Sequence, residues 1–262
     1  MDLKVRGKVA IITGGSEGIG RAVAERLSAE GALVAIAART QLDLDNVAAE
    51  ISATSGNEVI GVATDVRDEL SVESLVETVV AKWGRLDILV NNAGTSSAAK
   101  FEDINNEQVD EDFSLKVKGA MYCTRYALPY LKKKSGSICN TTTPGGKAPG
   151  VGSQPTAMSR AAGISLTKTW ANEFAADGVR VNTVCVGFLK SRQHKLRWKK
   201  AKEENPALTL DNHYENFNHR IPMGRVGEAS EAGDVIAFLC SGAASYVTGT
   251  AVNVDGGMSP VV

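Results

Sequence analysis

The chain has 262 residues, 43% of them hydrophobic, with 29 lysines and arginines against 30 aspartates and glutamates. That length buries a large core without disulfide or metal staples, and a net charge of −1 excludes a bulk polycationic surface for nucleic acid. A charged fraction of 23% and 26 glycines exclude whole-chain disorder and collagen-like order.

Apolar β-rich runs alternate with amphipathic helical stretches along the chain. Residues 8–12 read as a short buried strand, followed by a helix over about 18–30. A second strand at 33–37 precedes a helix to about residue 53, and a third strand spans 58–62. A helix near 69–83 leads into a strand at 86–90, and a long helix over 113–131 leads into a strand at 136–139. The last clear pair is a helix over about 156–175 and a strand at 179–184. Continuously apolar strands separated by helices imply a parallel sheet covered on both faces, and right-handed crossovers make it doubly wound. With no repeat, linker or composition break, the expectation is one α/β domain over 1–262, a Rossmann-like sheet with a cap segment at about 191–220.

Cys123, Cys139, Cys185 and Cys240 are scattered through apolar stretches without a C-x-x-C spacing, so buried free thiols are expected. The first fifteen residues hold too short an apolar run for a signal peptide, and no run approaches a membrane span. The expectation is a cytoplasmic protein with no membrane or nucleic-acid partner. The spacing of His194, His213 and His219 does not suit a metal site.

Gly14, Ser16, Glu17, Gly18, Ile19 and Gly20 follow the first strand and open the first helix. In that context the glycines let a backbone approach a pyrophosphate, which then sits on the helix N-terminus. With Asp65-Val66 after the third strand, Asn91-Asn92-Ala93-Gly94 at the fourth, and Val254-Asp255-Gly256-Gly257 near the end, the chain resembles the short-chain dehydrogenase/reductase family throughout its length. The resemblance implies a nicotinamide cofactor held by Gly14, Ser16, Glu17, Gly18, Ile19, Gly20, Asp65, Val66, Asn92, Ala93 and Gly94, with Gly187, Leu189 and Ser191 beside the nicotinamide. Arg39 closes the second strand, where an Arg suits a 2′-phosphate and a carboxylate suits the ribose of NAD. NADP(H) is therefore favoured over NAD(H), although Glu17 in the glycine loop opposes it and an exposed helix-start charge is the other reading of Arg39.

The family's chemistry rests on an Asn, a Ser and a Tyr-x-x-x-Lys. By resemblance, Lys116 stands at the Asn position, Thr143 at the Ser position, Thr156 at the Tyr position and Arg160 at the Lys position. Thr143 keeps a hydroxyl for a carbonyl oxygen; Thr156 lacks a phenol; Arg160 can grip ribose hydroxyls but cannot relay a proton. Lys116 is either a general acid of lowered pKa or a lysine that pairs locally or reaches solvent. His194, His213 and Tyr214 are further acid candidates. The basic run Arg192, Lys195, Arg197, Lys199, Lys200 and Lys202 either receives an anionic substrate or forms a solvated face.

Three readings remain. One is an NAD(P)-dependent oxidoreductase acting on a small carbonyl, alcohol or activated alkene with a nonstandard proton donor. The others are a catalytically silent nucleotide-binding relative, or a non-redox lyase, isomerase or hydrolase using the same cleft. The resemblance also implies a homo-oligomer, dimer or tetramer.

Overall fold

The computed structural model describes residues 1–262 in backbone and, apart from residues 192 and 193, in side chain. Seven parallel strands form one sheet in the order β3-β2-β1-β4-β5-β6-β7. In chain order they are β1 (Val9–Thr13), β2 (Leu33–Ala38), β3 (Val59–Ala63), β4 (Ile88–Asn91), β5 (Ser137–Thr142), β6 (Arg180–Val186) and β7 (Ala251–Val254). The first six strands match the apolar runs, whose β-branched residues suit strands buried on both faces.

Helices α1 (Gly18–Ala29), α2 (Gln41–Ser55), α3 (Glu69–Trp83), α4 (Asn106–Phe113), α5 (Gly119–Lys132) and α6 (Thr156–Phe174) fill the crossovers. Two cap helices, α7 (Arg192–Glu204) and α8 (Leu210–Glu215), follow β6, and α9 (Ala229–Cys240) precedes β7. On one face Leu27, Leu44, Ile51 and Ile236 bury against Ile12, Val34 and Ile36. On the other Val72, Leu75, Leu131 and Trp170 bury against Val9, Leu89 and Ile138. Each such side chain contributes roughly 1.5–3 kcal/mol on burial, so both helix layers are held by apolar area. Local signals set the ends: Asp68 accepts from the Leu70 N–H at 3.1 Å to start α3, and Gly84, at φ +70°, closes it in a left-handed turn.

Three features depart from the sequence expectation. The single helix expected over 113–131 is α4, a five-residue π turn (Ser114–Lys118) and α5 in succession. Such a turn inserts a residue into the hydrogen-bond ladder and has no composition signature of its own, so a reading by helical period runs across it. Helix α9 and edge strand β7 were not read as elements; β7 has only four half-buried residues. All four cysteines are free and buried, as their apolar surroundings imply.

Candidate active site

Strand order reverses at β1, whose neighbours are β2 and β4, and loops there diverge to leave a crevice at the carboxyl ends of the strands. The residues expected to hold nucleotide all lie at that edge. Gly14, Ser16, Glu17, Gly18, Ile19 and Gly20 form the β1–α1 turn, and Arg39 follows β2. Asp65 and Val66 follow β3, Asn92, Ala93 and Gly94 follow β4, and Gly187, Leu189 and Ser191 follow β6.

The crevice floor is tied together through Thr13. Its hydroxyl accepts from the Asn92 and Ala93 N–H groups at 3.0 and 3.1 Å, and Asn92 Nδ2 donates to the Thr13 and Gly14 carbonyls at 3.0 and 3.2 Å. The glycines are sterically required. Gly14 sits at φ +64°, and a Cβ on Gly20 would lie 2.1 Å from the Gly14 carbonyl oxygen. At the neighbouring strand end the Arg67 guanidinium binds Asp65 through Nη2 at 2.6 Å. Arg67, with exposed Arg39 adding charge from further off, holds the Asp65 carboxyl below its ordinary range.

Four polar side chains from the end of α4, the π turn and the start of α6 meet at the other end of the crevice. Lys116, on the π turn, donates to Asp112 one turn earlier, and donates to Thr156 Oγ1 at 3.3 Å. Asp112 also accepts from Ser159 Oγ at 2.6 Å. Thr156 Oγ1 accepts a second hydrogen bond, from the Ser97 backbone N–H at 3.0 Å. Burial, with the Arg160 charge added, pushes the Lys116 ammonium down to about 8, while Asp112 opposes the shift. Arg160 Nη1 donates to the Thr141 carbonyl at 2.5 Å, and a Cβ on Gly94 would lie 2.7 Å from its Nη2. Burial lowers Arg160 to about 10, which leaves it charged at neutral pH.

Comparison with known proteins fixes the family. Residues 14–259 match a family model described as enoyl-(acyl carrier protein) reductase. The 3-oxoacyl-[acyl-carrier-protein] reductase of Thermotoga maritima is 36% identical over 98% of this chain and 99% of its own. The chain belongs to the short-chain dehydrogenase/reductase family. L-sorbose reductase from Gluconobacter frateurii, solved with NADPH and L-sorbose, superposes with a TM-score of 0.95 at 31% identity, covering 100% of both chains. A short-chain oxidoreductase of Pseudomonas aeruginosa PAO1, described as containing an atypical catalytic center, superposes at 0.92 with 32% identity, covering 99% of this chain and 100% of its own.

In this short-chain dehydrogenase/reductase a Tyr-x-x-x-Lys spacing does occur, at Tyr130 and Lys134. Tyr130 lies in the last turn of α5, which leads into the amino end of β5, at the sheet edge opposite the crevice. Thr143 follows β5 at the crevice edge and is half-buried. Of the expected chemical residues, Lys116 and Thr156 are in contact. Arg160 joins them through the field it exerts on Lys116 rather than through a hydrogen bond.

The cap gathers His194, His213 and Tyr214, all buried, around Phe188 and Phe217; His194 and His213 have ring centroids 6.4 Å apart. His219 is exposed. Lys195, Arg197, Lys199, Lys200 and Lys202 form an exposed face of α7; the Arg192 side chain lies outside the described residues. Two contributors were missed in the sequence. Asp112 was legible as an acid four residues before Lys116 on a helix. Ser97 acts through its backbone N–H, and no side-chain pattern signals that.

Proposed function

We propose that the protein is an NAD(P)-dependent oxidoreductase, preferring NADP(H), that interconverts a small carbonyl compound or activated alkene with its reduced form. In this reading Thr156, backed by Lys116, takes the place of the family's tyrosine. The observation that carries the reading is the double acceptance at Thr156 Oγ1, from Ser97 N–H and Lys116 Nζ. A hydroxyl has two lone pairs and one hydrogen, so with both lone pairs engaged its own hydrogen is left to donate outward.

Proton movement then follows from the chain's own groups. The Thr156 O–H bond gives its proton to the substrate oxygen, and a Lys116 N–H proton moves to Thr156 Oγ1 as the ammonium becomes an amine. Thr alone is far too weak an acid, but an ammonium lowered to about 8 is matched to neutral pH. Thr143 donates its hydroxyl to the same substrate oxygen. Arg160 contributes a fixed positive charge that favours a developing oxyanion.

The crevice fits a dinucleotide: the β1–α1 turn has backbone where a Cβ would collide, and the N-terminus of α1 opens onto it. Gly14, Ser16, Glu17, Gly18, Ile19 and Gly20 would hold the pyrophosphate, Asp65 and Val66 the adenine, Arg39 the 2′-phosphate, and Asn92, Ala93, Gly94 and Arg160 the nicotinamide ribose. Gly187, Leu189 and Ser191 would flank the nicotinamide amide. When bound, the cofactor supplies or accepts the hydride at the substrate carbon. The NADPH complex of L-sorbose reductase and the atypical centre described for the Pseudomonas relative support the reading.

The test is a titration with NADPH and NADH, read by nicotinamide fluorescence and thermal stability, followed by a carbonyl and enone screen. Micromolar NADPH binding with turnover that Lys116→Ala abolishes is the expected result. Absence of binding to either cofactor overturns the redox reading.

A further inference from the structure

Lys116 lines a cavity of about 20 Å³ whose other walls include Asn91, Asn140, Thr141, Ser159 and Arg160. That volume accommodates a single water and no more. Two of the lining side chains have a buried polar atom without a hydrogen-bond partner among the described residues, Asn91 Oδ1 and Arg160 Nε. Asn91 itself is 8% exposed, and leaving such atoms unmet costs about 1–3 kcal/mol each.

The amide orientation of Asn91 is fixed from behind. Its Nδ2 donates to Asn140 Oδ1 at 2.9 Å and to Thr124 Oγ1 at 3.3 Å. Asn140 Nδ2 in turn donates to Thr167 Oγ1 at 2.9 Å, and Thr167 donates to the Gly163 carbonyl at 2.8 Å. Every donor in that chain runs one way, so Asn91 must present its oxygen as an acceptor. Arg160 Nε can only donate. Lys116 has three N–H groups, two of them given to Asp112 and Thr156, and the third has no partner among the described residues.

Resting on the proposed reaction, we infer that Asn91 is a positioning residue that, together with Arg160 Nε, fixes one water against Lys116 Nζ. The valences match. The water's two lone pairs accept from Arg160 Nε–H and the third Lys116 N–H, and one of its hydrogens goes to Asn91 Oδ1. When Lys116 gives its proton to Thr156, the lone pair it gains faces the new Thr156 O–H, and its third N–H goes on donating to the water in either state. Lys116 thus keeps a partner in both protonation states, inside a pocket where an unmet polar group is costly. No bond is made or broken at the water, so the proton count of the reaction is unchanged.

The experiment is a high-resolution crystal structure of the protein, with and without NADPH, and of the Gly163→Ala and Asn91→Leu variants, combined with pH–rate profiles. Gly163 lines the cavity, and the nearest atom to an added Cβ is the Thr142 methyl carbon at 3.1 Å, so alanine narrows the space while every polar group stays. The expected result is one water within hydrogen-bond distance of Asn91 Oδ1, Arg160 Nε and Lys116 Nζ, lost in whichever variant folds. Its loss desolvates the ammonium further, so the alkaline limb of kcat moves down by about one pH unit, a tenfold loss of rate above it, with KM and NADPH affinity unchanged. No water at those three atoms overturns the inference, and so does its displacement without movement of the limb. The crystallographic result does not depend on turnover, so a failed carbonyl screen would count against the reaction and leave the water site to be judged by itself.

Discussion

Asp112 and Lys116 form an ion pair, flanking the start of the π turn, in which the two side chains are 0% and 1% exposed. Neither charge can turn to solvent, and Asp112 spends its second oxygen on Ser159. Truncating one partner of a buried pair strands the other. Lys116→Met is expected to destabilise the protein by about 3–5 kcal/mol, a drop in Tm of roughly ten degrees for a chain of this size. Adding Asp112→Asn recovers most of that loss without recovering activity. Calorimetry on the single and double variants checks it.

In the proposed reaction Thr156 separates chemistry from cofactor binding. Thr156→Val removes the hydroxyl at nearly constant volume and is expected to lower kcat by about 10²–10⁴-fold. Thr156→Ser keeps the two acceptor positions and stays within about tenfold of the parent. NADPH affinity, read by fluorescence titration, is unchanged in both.

In the proposed reaction Lys116 sets the pH dependence of the reductive direction. Burial depresses its pKa to about 8, so the proton-bearing form dominates below that pH and is lost above it. The rate of reduction is therefore flat near neutrality and falls tenfold per unit above about pH 8, while oxidation, which needs the amine, rises with pH up to about 8 and levels off above it. A kcat/KM profile that stays flat to pH 10 would exclude Lys116 as the proton source.

The cap titrates at the other end of the scale. Burial, with Arg197 and His213 nearby, pushes His194 down to about 4, and burial lowers His213 as well. Both are neutral when folded, so their contribution is intact above the ordinary histidine value of about 6.5. It is lost as pH falls from there toward 4, because the unfolded chain then binds more protons. After allowance for residual solvation the loss is on the order of 2 kcal/mol, a few degrees in Tm. His194→Phe flattens that slope if the assignment is right, and Tm against pH measures it.

In the proposed reading Arg39 favours NADPH over NADH. It is exposed at the end of β2 with its charge directed at the Asp65 strand end. Arg39→Ala is expected to weaken NADPH by about ten- to a hundredfold, the worth of a hydrogen bond to a charged group. NADH affinity should stay within twofold, which parallel titrations would read.

The sequence by itself determined the parallel α/β sheet, the glycine turn at the end of β1 and the expected cofactor positions at the ends of β2, β3, β4 and β6. Those features are local: a β-branched apolar run, a helical period or a glycine cluster is complete within one element. It also held the acid–base pair Asp112 and Lys116, four residues apart. Only the tertiary structure decided that the pair is buried, because a helix period does not report which wall it will face. Likewise, Ser97 and Thr156 are 59 residues apart and Lys116 and Thr156 are 40 apart. Their meeting depends on how the loop after β4 and the start of α6 close over the crevice. The Asn91 cavity and the cap's histidine cluster are of the same kind, since each is made by side chains from several elements whose packing no single stretch of sequence encodes.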